Sequence, residues 1–162
     1  MIVVGQKLSV NFPVKVVQGG RAREVVFTQL LTRRTIISIY MRNNTPSCDR
    51  QVDELAEHAA EFDRLGYNLV AISRDTCGSH GRYGAKKGLP DSLVLVSDPG
   101  DLFATAADAV IDKQLYGRKY RGPARAAFIL AQDATVLGVV EKVDAKTHAA
   151  QLRGVLAALG AD

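Results

Sequence analysis

Two short apolar runs with a helical pattern between them constrain the fold of this chain more than any other feature. The first run, TIISIYM (35–41), is rich in β-branched residues, and the second, YNLVAIS (67–73), has the same length and character. Both are typical of buried strands. From Pro46 to Gly66, apolar residues recur every three or four positions with charged residues between them, as in an amphipathic helix. This strand–helix–strand unit predicts an α/β domain in which helices pack against a sheet.

The rest of the chain extends this alternation of strands and helices. We predict a short helix over Ser79–Lys87, a third strand in SLVLVSD (92–98), and a turn with a further helix in PGDLFATAADAV (99–110). The strands ARAAFILAQ and TVLGVVEKV then flank a turn, as in a hairpin, and an amphipathic helix follows them. Because no repeat or linker-like segment interrupts this order, we expect one three-layer domain over residues 1–162.

The composition argues against several classes of protein. No apolar run approaches the roughly 18 residues of a membrane span, and the first residues lack a charged leader and a cleavage site. We therefore predict a cytoplasmic protein without membrane association. Two cysteines, Cys48 and Cys77, are too few for a disulfide framework. The three histidines, at 58, 80 and 148, show no metal-ligand spacing.

The net charge of +4 reflects 21 basic and 17 acidic residues, and the basic excess gathers in KQLYGRKYRGPAR (113–125). Basic residues interleaved with aromatic ones occur on nucleic-acid-binding surfaces, but one such segment is a weak indication. A solvated loop beside an anion-stabilising site has the same pattern. We expect the second arrangement and no nucleic-acid partner.

Cys48 occupies the start of the first predicted helix. Thr45 suits the N-cap, and Pro46 suits the first helical position, where a missing N–H costs nothing. The sulfur of Cys48 is then expected near unpaired backbone N–H groups and the positive end of the helix dipole, which lower a thiol pKa. A buried, inert cysteine is the alternative. A dithiol exchanger is not expected, because Asp49, Arg50 and Gln51 supply no second cysteine to complete CxxC.

Five segments in order make the chain resemble the peroxiredoxins of the bacterioferritin-comigratory (Q-type) class over nearly its whole length. They are TPSC, VAISRDTCGSHGRYGAKKGL, LVSDPG, YGRKYRG and RAAFIL. The resemblance implies an α/β, thioredoxin-like fold with a central mixed β-sheet flanked by helices. It also implies a thiol-dependent peroxidase that reduces hydrogen peroxide and organic hydroperoxides and needs no metal, haem or flavin cofactor.

The resemblance also assigns roles to individual residues. The family's proline–x₃–threonine–x₂–cysteine pattern places its threonine at Thr45 and its cysteine at Cys48, while Met41 stands at the proline position. The family's active-site arginine matches Arg125. The Cys48 thiolate would attack the peroxide and become a sulfenic acid, and Thr45 would hold the peroxide or the thiolate. Arg125 would stabilise the thiolate and the charge that develops as the O–O bond breaks.

The second cysteine departs from the positions that the family uses for its resolving thiol. Those positions correspond to Asp53 and Gly84, neither of which is cysteine. Cys77 lies seven residues, about two helical turns, before Gly84 and follows a predicted strand on the same sheet edge as Cys48. We therefore predict that Cys77 resolves the sulfenic acid as an intramolecular disulfide, after the first helical turn unwinds.

The polar residues around Cys77 are expected to be structural. His80 lies three residues after Cys77 and is predicted to support the helix start rather than to act as a base. Asp75 and Ser79 are predicted to cap the short helix.

The resulting interpretation is a monomeric or weakly dimeric peroxidase that is recycled by thioredoxin or a similar thiol reductant. One alternative is a one-cysteine peroxidase or redox sensor that is resolved by an external thiol. An alternative of another class is a non-catalytic thioredoxin-fold binding module or holdase that uses its basic segment for acidic partners.

Overall fold

The computed structural model describes residues 1–160 and contains a mixed α/β arrangement, as predicted. The strands are β1 (Pro13–Gln18), β2 (Arg21–Val26), β3 (Thr35–Ile39), β4 (Asn68–Ser73), β5 (Leu93–Ser97), β6 (Val110–Leu115), β7 (Arg118–Pro123), β8 (Ala127–Leu130) and β9 (Val136–Val140). The helices are α1 (Pro46–Arg64), α2 (Cys77–Lys87), α3 (Leu102–Ala106) and α4 (His148–Leu159), with a 3₁₀ helix over Phe27–Leu30.

Seven of these strands form one mixed sheet in the order β2-β1-β5-β4-β3-β8-β9. The central strands β3, β4 and β5 are parallel, as the strand–helix–strand pattern requires, and the remaining pairs are antiparallel. Strands β6 and β7 form a separate antiparallel hairpin. Within residues 1–160, no helix is both long enough and apolar enough to span a bilayer.

The two faces of the sheet carry separate hydrophobic cores. All five residues of β3 are buried, and Ile36 and Ile37 point to opposite faces because side chains alternate along a strand. Helices α1, α2 and α4 cover one face, and the 3₁₀ helix, α3 and the N-terminal segment cover the other. Gly138 on β9 lies so close to Val155 of α4 that a Cβ atom at this position would overlap it.

Helix α1 is long and amphipathic, and its ends match the prediction. Pro46 is its first residue, and Gly66 follows its end with a φ of +94°, a backbone conformation that glycine adopts readily. Val52, Leu55 and Phe62 are buried against the sheet. Because α1 directly follows β3, its first turn lies at the carboxyl edge of the parallel strands, where α/β proteins commonly place their sites.

The structure differs from the sequence predictions in three regions. Strands β1 and β2 were not predicted, and the basic segment forms the β6–β7 hairpin rather than a loop. Tyr116 and Gly117 form its two-residue turn with φ values of +51° and +77°, the pattern of a type I′ turn, but tyrosine is an unusual residue there. Helix α2 begins at Cys77, and Thr76 rather than Asp75 or Ser79 caps it, accepting the backbone N–H of Ser79.

Candidate active site

Cys48 lies in the first turn of α1 with only 2% of its surface exposed. Arg125, which is 77 residues away in the chain, approaches it from the segment between β7 and β8, and its Nη2 is 3.5 Å from the Cys48 Sγ. The Arg125 carbonyl accepts the backbone N–H of Val143 at 2.9 Å, and the carbonyl of Ala126 accepts that of Ile39. The pairing of β8 with β3 therefore brings the predicted arginine and cysteine together.

Several groups act on the Cys48 thiol, and their balance lowers its pKa below the ordinary value. Burial alone raises this pKa, but a hydrogen bond from the Thr45 side chain, backbone hydrogen bonds from Arg42 and Met41, and the positive charge of Arg125 together lower it. The backbone donors identified here precede the helix, whereas the sequence suggested donors in its first turn. The site therefore gives Cys48 a larger thiolate fraction than an ordinary cysteine has at the same pH.

Thr45 occupies the predicted N-cap position, but its hydroxyl does not cap the helix. Instead, the hydroxyl donates to the carbonyl of Arg42 at 2.8 Å. A hydroxyl has one proton, so Thr45 can donate either to this carbonyl or, after rotation, to the Cys48 sulfur. The Thr45 hydroxyl can therefore donate to the Arg42 carbonyl while Cys48 is a thiol and to the sulfur once Cys48 is a thiolate.

Gln51 is a site residue that the sequence reasoning missed. It is fully buried one turn after Cys48, and its Oε1 accepts from Nη1 of Arg125 at 2.9 Å. Its Nε2 donates to Ser38 Oγ at 2.8 Å and to the carbonyl of Ile39 at 3.0 Å. The signal in the sequence was an amide on the otherwise apolar face of α1. Gln51 fixes the guanidinium of Arg125 against the sheet.

The hydrogen bonds continue from Gln51 to α4. Ser38 Oγ lies 2.8 Å from His148 Nε2, and His148 Nδ1 lies 3.2 Å from Gln151 Oε1. Because Gln51 donates to Ser38, the serine proton is directed to Nε2, and neutral His148 then donates from Nδ1. Burial lowers the pKa of His148 to about 4, which keeps this neutral form at physiological pH. This series of hydrogen bonds thus connects α4 to Arg125 through Ser38 and Gln51.

Cys77 is the first residue of α2, half-buried, and neither it nor Cys48 is in a disulfide. It packs against the same core as Cys48 but lines a surface groove with residues of β1 and of the segment after β5. Helix α2, which begins at Cys77, follows β4, and β4 lies next to β3, the strand that leads into α1. The two predicted thiols are on the same face of the sheet, and both are free in this structure.

A buried polar cluster joins the starts of α1 and α2. Both ring nitrogens of His80 are hydrogen-bonded: Nδ1 accepts from Asn43 Nδ2 at 3.1 Å, and Nε2 donates to the carbonyl of Val96 at 3.0 Å. Asn43 also accepts from the Tyr40 hydroxyl at 2.6 Å. Burial lowers the pKa of His80, so it stays neutral and holds these segments together. This arrangement agrees with the structural role predicted for His80.

A second link between the two helices is the hydrogen bond from the Tyr83 hydroxyl to Asp49 Oδ1, at 2.6 Å. Burial raises the pKa of Tyr83, so the phenol remains a donor. Opening the first turn of either helix breaks contacts with the other.

The described part of the chain contains one group of possible metal ligands, and it lies away from Cys48. Glu54, Glu57 and His58 bring one ligand atom each within 4.8 Å of the others on the surface of α1. His58 also lies 2.7 Å from Arg153, which forms an ion pair with Glu61. Such exposed acidic groups are common without an ion, and the cluster has no connection to the thiol site.

Comparisons with known proteins agree on one family. Residues 4–139 match the family model described as AhpC/TSA. The chain is 32% identical over 126 residues to Peroxiredoxin Bcp of Xanthomonas campestris pv. campestris, which covers 78% of this chain and 76% of that protein. It is 26% identical over 150 residues to Peroxiredoxin Bcp of Bacillus subtilis, with 93% and 92% covered.

Solved structures show the same similarity. Peroxiredoxin Q of Xanthomonas campestris superposes with a TM-score of 0.83 at 25% identity, covering 97% of this chain and 99% of that one. A structure of the bacterioferritin comigratory protein of the same organism, described in terms of its alkyl peroxide reduction activity, also has a TM-score of 0.83, at 24% identity and with 98% and 100% covered. The thioredoxin-like fold predicted from the sequence is confirmed.

Proposed function

Because this chain belongs to the AhpC/TSA family, as its resemblance to the bacterioferritin-comigratory peroxiredoxins predicted, we propose that Cys48 is its peroxidatic thiol and Cys77 its resolving thiol. The chain is a peroxiredoxin, a thiol-dependent peroxidase that uses peroxides as substrates and a thiol as reductant. We include hydrogen peroxide and organic hydroperoxides as substrates, and Thr45 and Arg125 as catalytic residues.

The observation that carries the proposal is the 3.5 Å contact between Arg125 Nη2 and Cys48 Sγ in the first turn of α1. A guanidinium has five fixed donors and keeps its charge at every physiological pH. It can therefore stabilise the thiolate before the reaction and the oxygen that gains charge during it. Gln51 holds this guanidinium in place through a 2.9 Å hydrogen bond, so little reorganisation is needed when peroxide binds.

In the first step, the Cys48 thiolate attacks one peroxide oxygen. An S–O bond forms as the O–O bond breaks, and the leaving alkoxide or hydroxide takes a proton from solvent. The sulfur is oxidised to sulfenic acid and the peroxide is reduced to an alcohol or water. The Thr45 hydroxyl, released from the Arg42 carbonyl, would donate to a peroxide oxygen and align it with the sulfur.

In the second step, the Cys77 thiolate attacks the sulfenic sulfur, an S–S bond forms as the S–O bond breaks, and the leaving hydroxide takes a proton from solvent to become water. The Cα atoms must approach within roughly 7 Å, which requires the helix starts to open. Helix α2 is suited to opening because Gly81 and Gly84 lie in its interior, where each glycine costs about 1 kcal/mol relative to alanine. The His80 cluster and the Tyr83–Asp49 bond oppose opening and keep the reduced enzyme closed.

The cycle is completed when a dithiol returns two electrons to the disulfide. We propose thioredoxin or a similar protein as this reductant and a monomer or weak dimer as the working form. We also propose that residues 1–162 act as one domain in the cytoplasm.

The first experiment measures single-turnover oxidation of Cys48 by hydrogen peroxide in the wild type and in Arg125→Ala. We expect a loss of about 100-fold in the second-order rate constant, as when one oxyanion-stabilising donor is removed. Arg118→Ala, which removes the same charge from the exposed hairpin, serves as the matched control and should retain the wild-type rate constant. Equal rate constants in the wild type and Arg125→Ala would contradict the role of Arg125.

The second experiment identifies the oxidised products by mass spectrometry after one equivalent of peroxide. We expect a peptide pair linked through Cys48 and Cys77 in the wild type, and sulfenic or overoxidised Cys48 in Cys77→Ser. If the wild type instead gives overoxidised Cys48 or an adduct with an added thiol, Cys77 is a bystander. The one-cysteine mechanism would then replace the intramolecular one.

A further inference from the structure

Lys113 is half-buried, whereas the other residues of the 111–121 hairpin segment are exposed. Its Nζ lies 2.8 Å from the Met41 Sδ, so the side chain leaves the hairpin and reaches back toward the thiol site. Gly122, which is buried, lies beside the Lys113 stem, since a Cβ there would be in ordinary van der Waals contact with Lys113 Cδ at 3.5 Å. The Lys113 side chain is therefore in contact with protein atoms along its stem and at its ammonium.

Met41 connects Lys113 to Cys48. The backbone of Met41 forms one of the hydrogen bonds that lower the pKa of Cys48, while its side chain contacts the Lys113 ammonium. Met41 also packs against both hydrophobic cores, at the edge where the two faces of the sheet meet. The ammonium and the thiol thus share one neighbour, and each is close enough for its charge to act on the other.

The ammonium of Lys113 lacks a strong acceptor. Across residues 1–160, no carboxylate lies within ion-pair distance of its Nζ, and a thioether is a weak acceptor for a group with three donors. Burial lowers the pKa of Lys113, and the charges of Arg125 and Arg74 lower it further, whereas Asp101 and the Cys48 thiolate oppose this change. Asp101 is already paired with Arg74. The site therefore has positive charge that no side chain neutralises.

We propose that Lys113 is a specificity-determining residue that binds the anionic group of hydroperoxides carrying a carboxylate near the peroxide. A carboxylate entering this site replaces the thioether as acceptor and forms charge-assisted hydrogen bonds with a partly desolvated ammonium. Arg125 remains available to the reacting oxygens, because its two terminal nitrogens are directed to Gln51 and Cys48. This inference rests on the proposed role of Cys48 as the peroxidatic thiol.

The test uses two substrates that differ only in charge: a tertiary alkyl hydroperoxide bearing a carboxylate, and the methyl ester of the same compound. Rate constants for Cys48 oxidation by each are measured at neutral pH and low ionic strength, and their ratio is the readout. In Lys113→Met, we expect the acid-to-ester ratio to fall about tenfold, the effect of losing one hydrogen bond to a charged group at a half-buried site. Lys113→Arg, which keeps the charge, should retain most of the preference.

Lys119→Met is the matched control, since it removes the same charge from an exposed position on the same hairpin. We expect its ratio to stay within about twofold of the wild type, because solvent and salt screen exposed charges. The inference is overturned if Lys113→Met slows both substrates equally, or if Lys119→Met lowers the ratio as much as Lys113→Met does. If wild-type Cys48 reacts with neither substrate faster than a free cysteine, the proposed function itself fails.

Discussion

Gln51→Met is expected to lower both the stability and the peroxide reactivity of the protein, for separable reasons. Methionine fills a similar volume but forms none of the hydrogen bonds that Gln51 makes to Arg125, Ser38 and Ile39, at 2.9, 2.8 and 3.0 Å. At about 1 kcal/mol net for each bond, the free energy of unfolding should fall by about 3 kcal/mol. Urea denaturation followed by circular dichroism measures this change.

The loss of reactivity follows from the position of Arg125. At 3.5 Å and an effective dielectric constant near 20, a guanidinium and a thiolate interact by about 5 kcal/mol. If the released guanidinium moves outward by about 2 Å, the same expression gives about 3 kcal/mol. The difference of about 1.7 kcal/mol corresponds to a fall of roughly 20-fold in the rate constant for Cys48 oxidation. This fall in the rate constant is measured by quenching the reaction of fully folded protein with peroxide at a series of times. Gln114→Met, at an exposed position, serves as the control.

A double-mutant cycle tests whether Gln51 acts through Arg125. In an Arg125→Met background there is no guanidinium to position, so Gln51→Met should change the rate constant by less than about twofold. The stability loss should remain in large part, since two of the three hydrogen bonds do not involve Arg125. A rate loss of roughly 20-fold that persists in the Arg125→Met background would refute the positioning role and indicate a direct effect on the thiol.

Three further predictions concern stability and opening. The pKa of His148 is about 4 in the folded state, below its ordinary 6.5, so the unfolded chain takes up this proton at a higher pH than the folded protein. The free energy of unfolding should therefore fall by about 3 kcal/mol as pH drops from about 6.5 to 4. His148→Gln should flatten this part of a plot of urea midpoint against pH. Gly138→Ala places a Cβ against Val155 of α4 and should lower the thermal midpoint. Gly154→Ala, in open space within α4, should raise the free energy of unfolding by about 0.5–1 kcal/mol. A similar loss of stability in both variants would contradict the close contact between Gly138 and α4. Tyr83→Phe removes the bond to Asp49 and should speed disulfide formation about fivefold in quenched time courses, and an unchanged rate would show that this bond does not limit opening.

The sequence predicted the parts of the site that are determined by residues close together in the chain. The start of α1, with Thr45, Pro46 and Cys48, follows from capping preferences and from the apolar run before it. The role of Arg125 could be expected only from the resemblance, because 77 residues and four intervening strands lie between it and Cys48. A lone arginine before a strand carries no local signal.

Other features depend on packing that a sequence does not reveal. Gln51 lies on the buried face of α1, and a polar residue within an apolar stripe was a usable but weak sign. Lys113 reaches the site only because β6 and β7 pair through an unusual Tyr116–Gly117 turn. The placement of Cys48 and Cys77 on one face of the sheet likewise depends on strand order, which puts β4, the strand before Cys77, beside β3, the strand before Cys48.

The late position of Arg125 in the chain also has a consequence for biosynthesis. Cys48 leaves the ribosome long before Arg125, and the two can meet only after β8 has paired with β3. Until then, the nascent protein carries a cysteine without its guanidinium partner. Enhanced peroxide reactivity therefore arises only after Arg125 has emerged and β8 has paired with β3, so shorter nascent chains lack the guanidinium that stabilises the thiolate.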